Sequence, residues 1–412
     1  MKRRRRILLT LLATIILGGM MWFALLPHEP PEPTYQGKPL TYWLRGYSAT
    51  NAPSKPTSPA ADEAIRNLGS NAVPTLLRLL RAHDSQFKLW AVAFAQKQSF
   101  IKVDFIPASS RRMSAAMGFR ALLISPDKTN NIRSAIPGLI KICEQGPDDA
   151  SRAIAAELLG RIGPEAADAV PALLRCLDVK SLAVRQQAQV ALGAIHSQPD
   201  LVVPALINNL TNVTGRREAV LSLGLFQTNA TPAVPALLNL FLNDPDKTDP
   251  DKMVQAAAGQ ALGMIRGQPD VVIPELIRRL NDPDLFSRQD SVRALGYYGE
   301  AAEPAIPMLL KILHDKNEDV VVRALTADAL GRIHTDSALV VPALLEYLKD
   351  PQAIHSSAAQ ALGRFGLDAR AAVPDLLKLL KDQSPQMRGT REAAAYALKA
   401  IDPEAAAKEG IK

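Results

Sequence analysis

Nine prolines set the rhythm of this chain: Pro74, Pro137, Pro171, Pro204, Pro235, Pro274, Pro307, Pro342 and Pro374. Each follows Val or Ile, and the positions two, three and six beyond it are apolar in all nine copies. The position four beyond is always polar, as in Arg175, Asn208, Arg278 and Glu346. That spacing predicts an amphipathic helix with one apolar stripe, here called helix A.

A second motif recurs between the prolines: ELLGRIG (157–163), VALGAIH (190–196), QALGMIR (260–266), DALGRIH (328–334) and QALGRFG (360–366). It predicts a second helix, B. Small residues such as Ala191, Ala261, Ala329 and Ala361 let it lie close to its neighbours. The proline is expected in or near the first turn of helix A, where its missing N–H costs least; placed deeper it would kink the helix. The 237 residues from Pro137 to Pro374 make seven steps, a mean period near 34. One A/B pair cannot bury its own apolar faces, so successive pairs must stack into a solenoid.

The VPALLxxL and ALGxIG motifs resemble HEAT repeats, particularly the short class also found in phycobilin lyases. The resemblance covers roughly residues 61–402. Tetratricopeptide repeats have a similar period, but their W-x-x-L-G-x-x-Y signature is absent from the sequence. The resemblance implies an all-α superhelix, armadillo-like, of about nine stacked helix pairs. An exported anchor followed by GKPLTYWL and such an array also resembles bacterial proteins of unassigned function.

The first 26 residues change the picture of the charge. Lys2, Arg3, Arg4, Arg5 and Arg6 stand there without an acid, and Ile7–Leu26 is an uncharged run. Removing five of the 48 basic residues leaves 43 against 41 acidic ones, so the remainder is nearly neutral. The basic pI therefore marks the terminus, not a phosphate-binding surface, and no nucleic-acid partner is expected. Twenty helical residues span roughly 30 Å, enough to cross a bilayer. The cations should stay cytoplasmic, which gives a single-pass signal anchor with everything after Pro27 outside the inner membrane. A cleaved signal peptide is the alternative, although no A-x-A site follows.

The expected organisation is an anchor over 1–26, a proline-rich linker and short capping helix over 27–60, and the solenoid over 61–402. Four prolines in PHEPPEPTYQG favour a stiff extended spacer. KPLTYWLRGY reads as a short helix capped by Thr41, with Tyr42, Trp43 and Leu44 as the lid of the first repeat. The rhythm breaks between Pro74 and Pro137, 63 residues apart. SFIKVDFIP alternates like a strand, and ASSRRMSAAMGFRALL reads as a helix. The segment is read as an insertion closing the amino-terminal end, or as a binding loop built on Lys102, Asp104, Arg111 and Arg112.

No hydrolase, Walker, zincin or dinucleotide motif occurs, so no catalytic residue, cofactor or metal is expected. Cys143 takes a core position usually held by Leu. Cys176 lies one register earlier in its helix, so the two are expected to face different ways. His196 and His334 share one place, three residues past the helix-B glycine, and are expected to contact a helix carboxyl end. NDPDKTDPDK (243–252) is acidic but lacks the glycine and distal Glu of a calcium loop.

Helix B is expected to line the concave side, with the positions three before and one after its glycine facing out along one strip. The strip runs from Glu157 and Arg161 through Val190, Leu221, Leu225 and Met264 to Arg293 and Tyr297. Asp328 with Arg332 and Gln360 with Arg364 continue it. Its ends are charged and its middle apolar, which suggests recognition of a protein partner, with Tyr297 and Arg293 as anchors. The expected partner-binding set is Val190, Leu221, Leu225, Met264, Arg293, Tyr297, Asp328 and Arg332. The function expected is a membrane-tethered, exported binding scaffold without catalysis. A bilin-lyase-like enzyme and a purely structural envelope spacer are the alternatives.

Overall fold

A computed structural model describes residues 31–48, 58–96, 105–124, 128–212, 214–243, 253–382 and 384–411. Residues 1–26, expected to form an anchor, the start of the expected linker, Lys102, Asp104 and residues 244–252 of the acidic stretch lie outside the described residues.

Two helices, α1 (Leu40–Ser48) and α2 (Pro59–Leu68), precede the repeats. The first A/B pair is α3 (Val73–Leu80) with α5 (Ala108–Leu123), and α4 (Gln86–Gln96) is inserted between them. Then come α6 (Lys128–Gln145) with α7 (Asp149–Ile162), α8 (Val170–Cys176) with α9 (Leu182–Ile195), and α10 (Pro199–Asn209) with α11 (Arg216–Leu225). The next pairs are α12 (Val234–Asn243) with α13 (Met253–Ile265) and α14 (Pro269–Arg279) with α15 (Leu285–Tyr298). The last three are α16 (Ile306–His314) with α17 (Val320–Ile333), α18 (Ser337–Lys349) with α19 (His355–Phe365), and α20 (Val373–Lys381) with α21 (Arg388–Ile401). A short α22 (Pro403–Lys408) closes the end, its start capped by the Asp402 side chain accepting from the Ala405 N–H. The nine pairs carry the nine prolines, and one continuous apolar core runs from Leu40 to Ala406.

The stacking is tightest from helix B to helix B, because the motif glycines remove the side chain at the crossing. A Cβ on Gly331 would lie 2.6 Å from the Cα of Ala361, and one on Gly160 would lie 2.8 Å from the Cα of Ala191. In most of the stack the small residue ahead of the motif Leu is therefore the partner of the preceding repeat's glycine; Gly263, which meets Tyr297, is the exception. Where Ser222 replaces that alanine, its buried hydroxyl donates to the Gln189 carbonyl at 2.8 Å.

The proline occupies both positions that sequence left open. Pro74, Pro171, Pro235, Pro307 and Pro374 stand in the first turn of helix A, after a 3₁₀ run. Pro137, Pro204, Pro274 and Pro342 stand inside a longer helix. In three of these the chain leaves helix B through two left-handed residues, His196 and Gln198, Arg266 and Gln268, or His334 and Asp336. Helix A then begins early, at Pro199, Pro269 or Ser337.

In five of the pairs an arginine in the first turn of helix B reaches a backbone carbonyl. Arg323 is buried, donates to the Leu313 carbonyl at 3.1 Å, pairs with Asp350 at 2.6 Å and lies over the Tyr347 ring. Arg152, Arg185, Arg288 and Arg391 reach backbone carbonyls from the same place.

The amino-terminal end departs from expectation in three ways. Residues 34–39 form a two-stranded hairpin, β1 (Thr34–Tyr35) and β2 (Lys38–Pro39), not a spacer. Gln36 and Gly37 both have positive φ, the requirement of a tight two-residue hairpin turn. The lid on the first repeat is Leu40, Leu44 and Tyr47, spaced for one helix face; Tyr42 points to solvent. Thr41 lies inside the helix, and Glu32 caps it, accepting from the Thr41 N–H at 2.7 Å and its hydroxyl at 3.0 Å. Helix α5 spans the ASSRRMSAAMGFRALL stretch, but it serves as the B helix of the first pair, packed against α3 and α7. The end is closed by α1 and α2, so the inserted piece is α4 and the chain after it. Arg111 pairs with Asp84 at 2.7 Å and Arg112 with Asp148 at 2.8 Å, so both hold α5 in place. Among the described residues, no helix is long and apolar enough to cross a membrane.

A candidate protein-binding face along the B helices

All of the strip positions are exposed or half-buried; none is enclosed in the core. Val190 and Leu225 are 46% and 43% exposed, while Leu221, Met264 and Tyr297 are half-buried against neighbouring helices. Leu221 and Tyr297 help to wall a cleft of about 260 Å³ between α11, α13 and α15. Leu221, Met253, Ala256 and Tyr297 supply its apolar surface, and Arg217, Gln260, Asp290 and Arg293 its polar groups. The cleft brings together Leu221, Arg293 and Tyr297 of the expected set; Val190, Leu225, Met264, Asp328 and Arg332 do not line it.

Sequence reading missed Arg217, Met253, Ala256 and Asp290. The signal was present, because Arg217 and Ala256 stand four residues before Leu221 and Gln260 on the same helix faces.

Tyr297 is held by packing on both sides. Gly263 of the preceding B helix leaves the space that its Cβ and ring fill. On the other side the Arg332 guanidinium lies 5.3 Å from the ring centroid. Arg332 also bonds Asp328 at 2.7 Å, and Arg364 of the next repeat bonds the other oxygen of Asp328 at 2.7 Å. Burial opposes ionisation of Asp328, but the bonds and charges of the two arginines outweigh it and hold the carboxyl below its usual range. Asp328 and Arg332 thus neutralise each other beside the cleft. Glu157 repeats the arrangement near the other end, with Arg161 at 2.8 Å and Arg120 at 2.5 Å.

The family follows from the repeats themselves. A model of HEAT repeats matches residues 136–215, 247–327 and 341–409, more than half of the chain. The chain belongs to the HEAT-repeat family. No curated protein matches it. Among solved structures, this HEAT array is similar to yeast importin-beta, Kap95p, with a TM-score of 0.59 and 15% identity over 94% of this chain. A complex of Kap95 with Nup1 gives the same TM-score at 16% identity over 94% of the chain. Importin beta in ammonium sulfate gives 0.51 at 16% over 88%. The chain spans about half the length of these proteins, 55%, 55% and 50% respectively. Likeness at such identity establishes the solenoid fold alone.

Asp290 in the HEAT cleft behaves oppositely to Asp328. Burial raises its pKa, and Arg293 at 3.0 Å offsets this only in part. A second, wider hollow of about 550 Å³ opens on the same face near the carboxyl end, lined by Gln360, Arg364, Glu392 and Tyr396.

Both histidines that share a register stack on an aromatic ring of the next repeat, and His334 also reaches a carbonyl at the end of that repeat's B helix. His334 Nε2 lies 2.7 Å from the Arg364 carbonyl and stacks on Phe365, and His196 stacks on Phe226. Among the described residues, no group of three or more His, Cys, Asp or Glu is arranged to hold a metal.

The two cysteines correct the sequence reading. Their sulfurs are 3.1 Å apart, not turned away from each other. Between neighbouring repeats, the fifth residue after one proline meets the sixth residue after the preceding one. Arg279 shows the same offset, donating to the Phe241 carbonyl and lying over its ring. A difference of one register therefore brings Cys176 onto Cys143.

A second apolar patch also escaped the sequence reading. Phe87, Trp90 and Phe94 of α4 stack along one exposed face, with ring centroids 5.9 and 5.8 Å apart.

Proposed function

We propose that this HEAT solenoid is a protein-binding scaffold without catalytic chemistry, exported and tethered to the cytoplasmic membrane by its amino-terminal segment. The observation that carries the reading is the cleft between α11, α13 and α15, where Tyr297 and Leu221 are fixed by packing yet open to solvent on the helix-B face. Fixed aromatic and Arg groups in a partly desolvated recess lose little entropy on binding, which is what an interface hot spot needs. The partner is a protein segment offering an apolar side chain to Leu221, Met253 and Tyr297 and polar groups to Arg217, Gln260 and Arg293. The complex of Kap95 with Nup1 provides a protein of the same fold in association with another protein.

The test is affinity capture from solubilised membranes with wild-type bait and with a Leu221→Asp/Tyr297→Asp bait of equal helicity by circular dichroism. Partners retained by the first and lost by the second support the reading; identical captures, or none, refute it. A structural spacer would be insensitive to the double change. A lyase-like enzyme would need a reactive group in the cleft, and both cysteines, the thiols suited to chromophore attachment, are buried elsewhere.

The location rests on the five cations followed by the Ile7–Leu26 run. A reporter enzyme active only outside the cytoplasm, fused after Ser48, should be active; an inactive fusion would place the array inside.

A further inference from the structure

Cys143 and Cys176 form the one place in the described array where two thiols face each other across a repeat boundary. The sulfurs are 3.1 Å apart, and the side chains are 0% and 1% exposed. A covalent S–S bond is about 2.05 Å, so only ~1 Å of approach separates the pair from a bridge. The sibling positions carry mostly Leu, Ile or other bulky groups, for example Leu79, Leu240 and Ile312 at the Cys176 position and Leu177, Leu280 and Leu313 at the Cys143 position. The pairing of sulfurs is thus peculiar to the boundary between α6 and α8.

We propose that Cys143 and Cys176 are a modification site, oxidised to an intrachain disulfide that locks the A helices of two successive repeats. The oxidant is a small-molecule disulfide such as oxidised glutathione. The Cys176 thiolate attacks one sulfur of the oxidant, forming a mixed disulfide and releasing one thiol. The Cys143 thiolate then attacks the Cys176 sulfur, closing the protein bridge and expelling the second thiol. Two protein S–H bonds and one S–S bond are lost, one S–S bond and two S–H bonds are gained, and both electrons pass to the oxidant.

In the closed array the two thiols differ. The Cys143 contact and the nearby Arg152 charge hold the Cys176 thiol below its usual range despite burial. The same contact, with burial, pushes the Cys143 thiol up. Arg152 Nε donates to the Cys143 carbonyl at 3.0 Å, and the Cys176 sulfur lies 3.5 Å from that carbonyl oxygen. Both sulfurs are closed to solvent, so exchange takes place while the repeats assemble or open locally.

The full-length chain in detergent is unfolded in urea, refolded with oxidised and reduced glutathione, and its thiols counted under denaturing conditions. The expected result is no titratable thiol, an intact mass about 2 Da below the reduced chain, and linked peptides containing Cys143 and Cys176. Reduction should lower the melting temperature by about 5 °C, because the bridge closes a loop of 33 residues. The Cys143→Ala chain should show one thiol and no effect of reductant on melting. Two free thiols after refolding, glutathione adducts in place of the bridge, or links between molecules would overturn the proposal. The wild-type count decides even if the variant fails to fold.

Discussion

Tyr297 packs into the space left by Gly263 on the neighbouring B helix, which has no room for a Cβ. Elsewhere in the stack the corresponding glycine meets an alanine or, at Gly193, Ser222; here it meets the aromatic residue of the cleft. Gly263→Ala is therefore expected to push Tyr297 out of place and cost about 1–3 kcal/mol, the range for overpacking. Urea denaturation checks this against Gly389→Ala, whose Cβ would meet nothing within 4 Å. That second change should leave stability unchanged or raise it by about 0.5–1 kcal/mol.

The two aspartates of the face should respond oppositely to neutralisation. Asp328 has a depressed pKa, so its stabilisation is present above the unfolded value near ~4 and is lost as pH falls through the folded value. Asp328→Asn should cost about 1–2 kcal/mol at pH 7, allowing for solvent screening, and the deficit should shrink towards pH 3. Asp290 has a raised pKa, so its contribution is greatest below the unfolded value and falls as pH rises through the folded one. Asp290→Asn should match or exceed wild type at pH 7. Denaturation of both variants across pH checks the signs; a loss for Asp290→Asn equal to that of Asp328→Asn would contradict them.

Much of the fold was legible because its information is local. Nine Pro-x-Leu-Leu or Pro-x-Leu-Ile motifs and the Leu-Gly motifs between them give the helix pairs and their stacking without any long-range knowledge. The position of proline was not legible, since identical spacing from His196 to Pro204 and from Gly163 to Pro171 folds in two ways. The difference lies in a second left-handed residue, Gln198, followed by Pro199, which starts the helix early. The cleft was legible in part: Leu221, Arg293 and Tyr297 follow from helical phase. Met253 and Asp290 depend on how three helices converge. Cys143 and Cys176 were misread because register within one helix says nothing about the offset between repeats.

The left-handed exits carry a cost and a compensation. His334 has φ of 55°, and its ring reaches the carbonyl of Arg364; Arg266, with φ of 54°, donates to the Tyr297 carbonyl at 2.9 Å from the same place. His334→Ala removes the contact and keeps the strain, whereas His334→Gly removes both. The alanine variant should be less stable than the glycine variant by about 1 kcal/mol, read from thermal or urea unfolding. Equal stabilities would show that the left-handed backbone at this exit is not strained.

The central claim is that the cleft on the helix-B face holds a partner protein. A photo-crosslinking amino acid placed at Gln260, exposed within the cleft, tests it against the same group at Arg278, exposed on helix A. Irradiation of membranes carrying each full-length variant should yield a discrete adduct with a second protein from position 260 and none from 278. No adduct from 260, or the same adduct from both positions, would contradict the account.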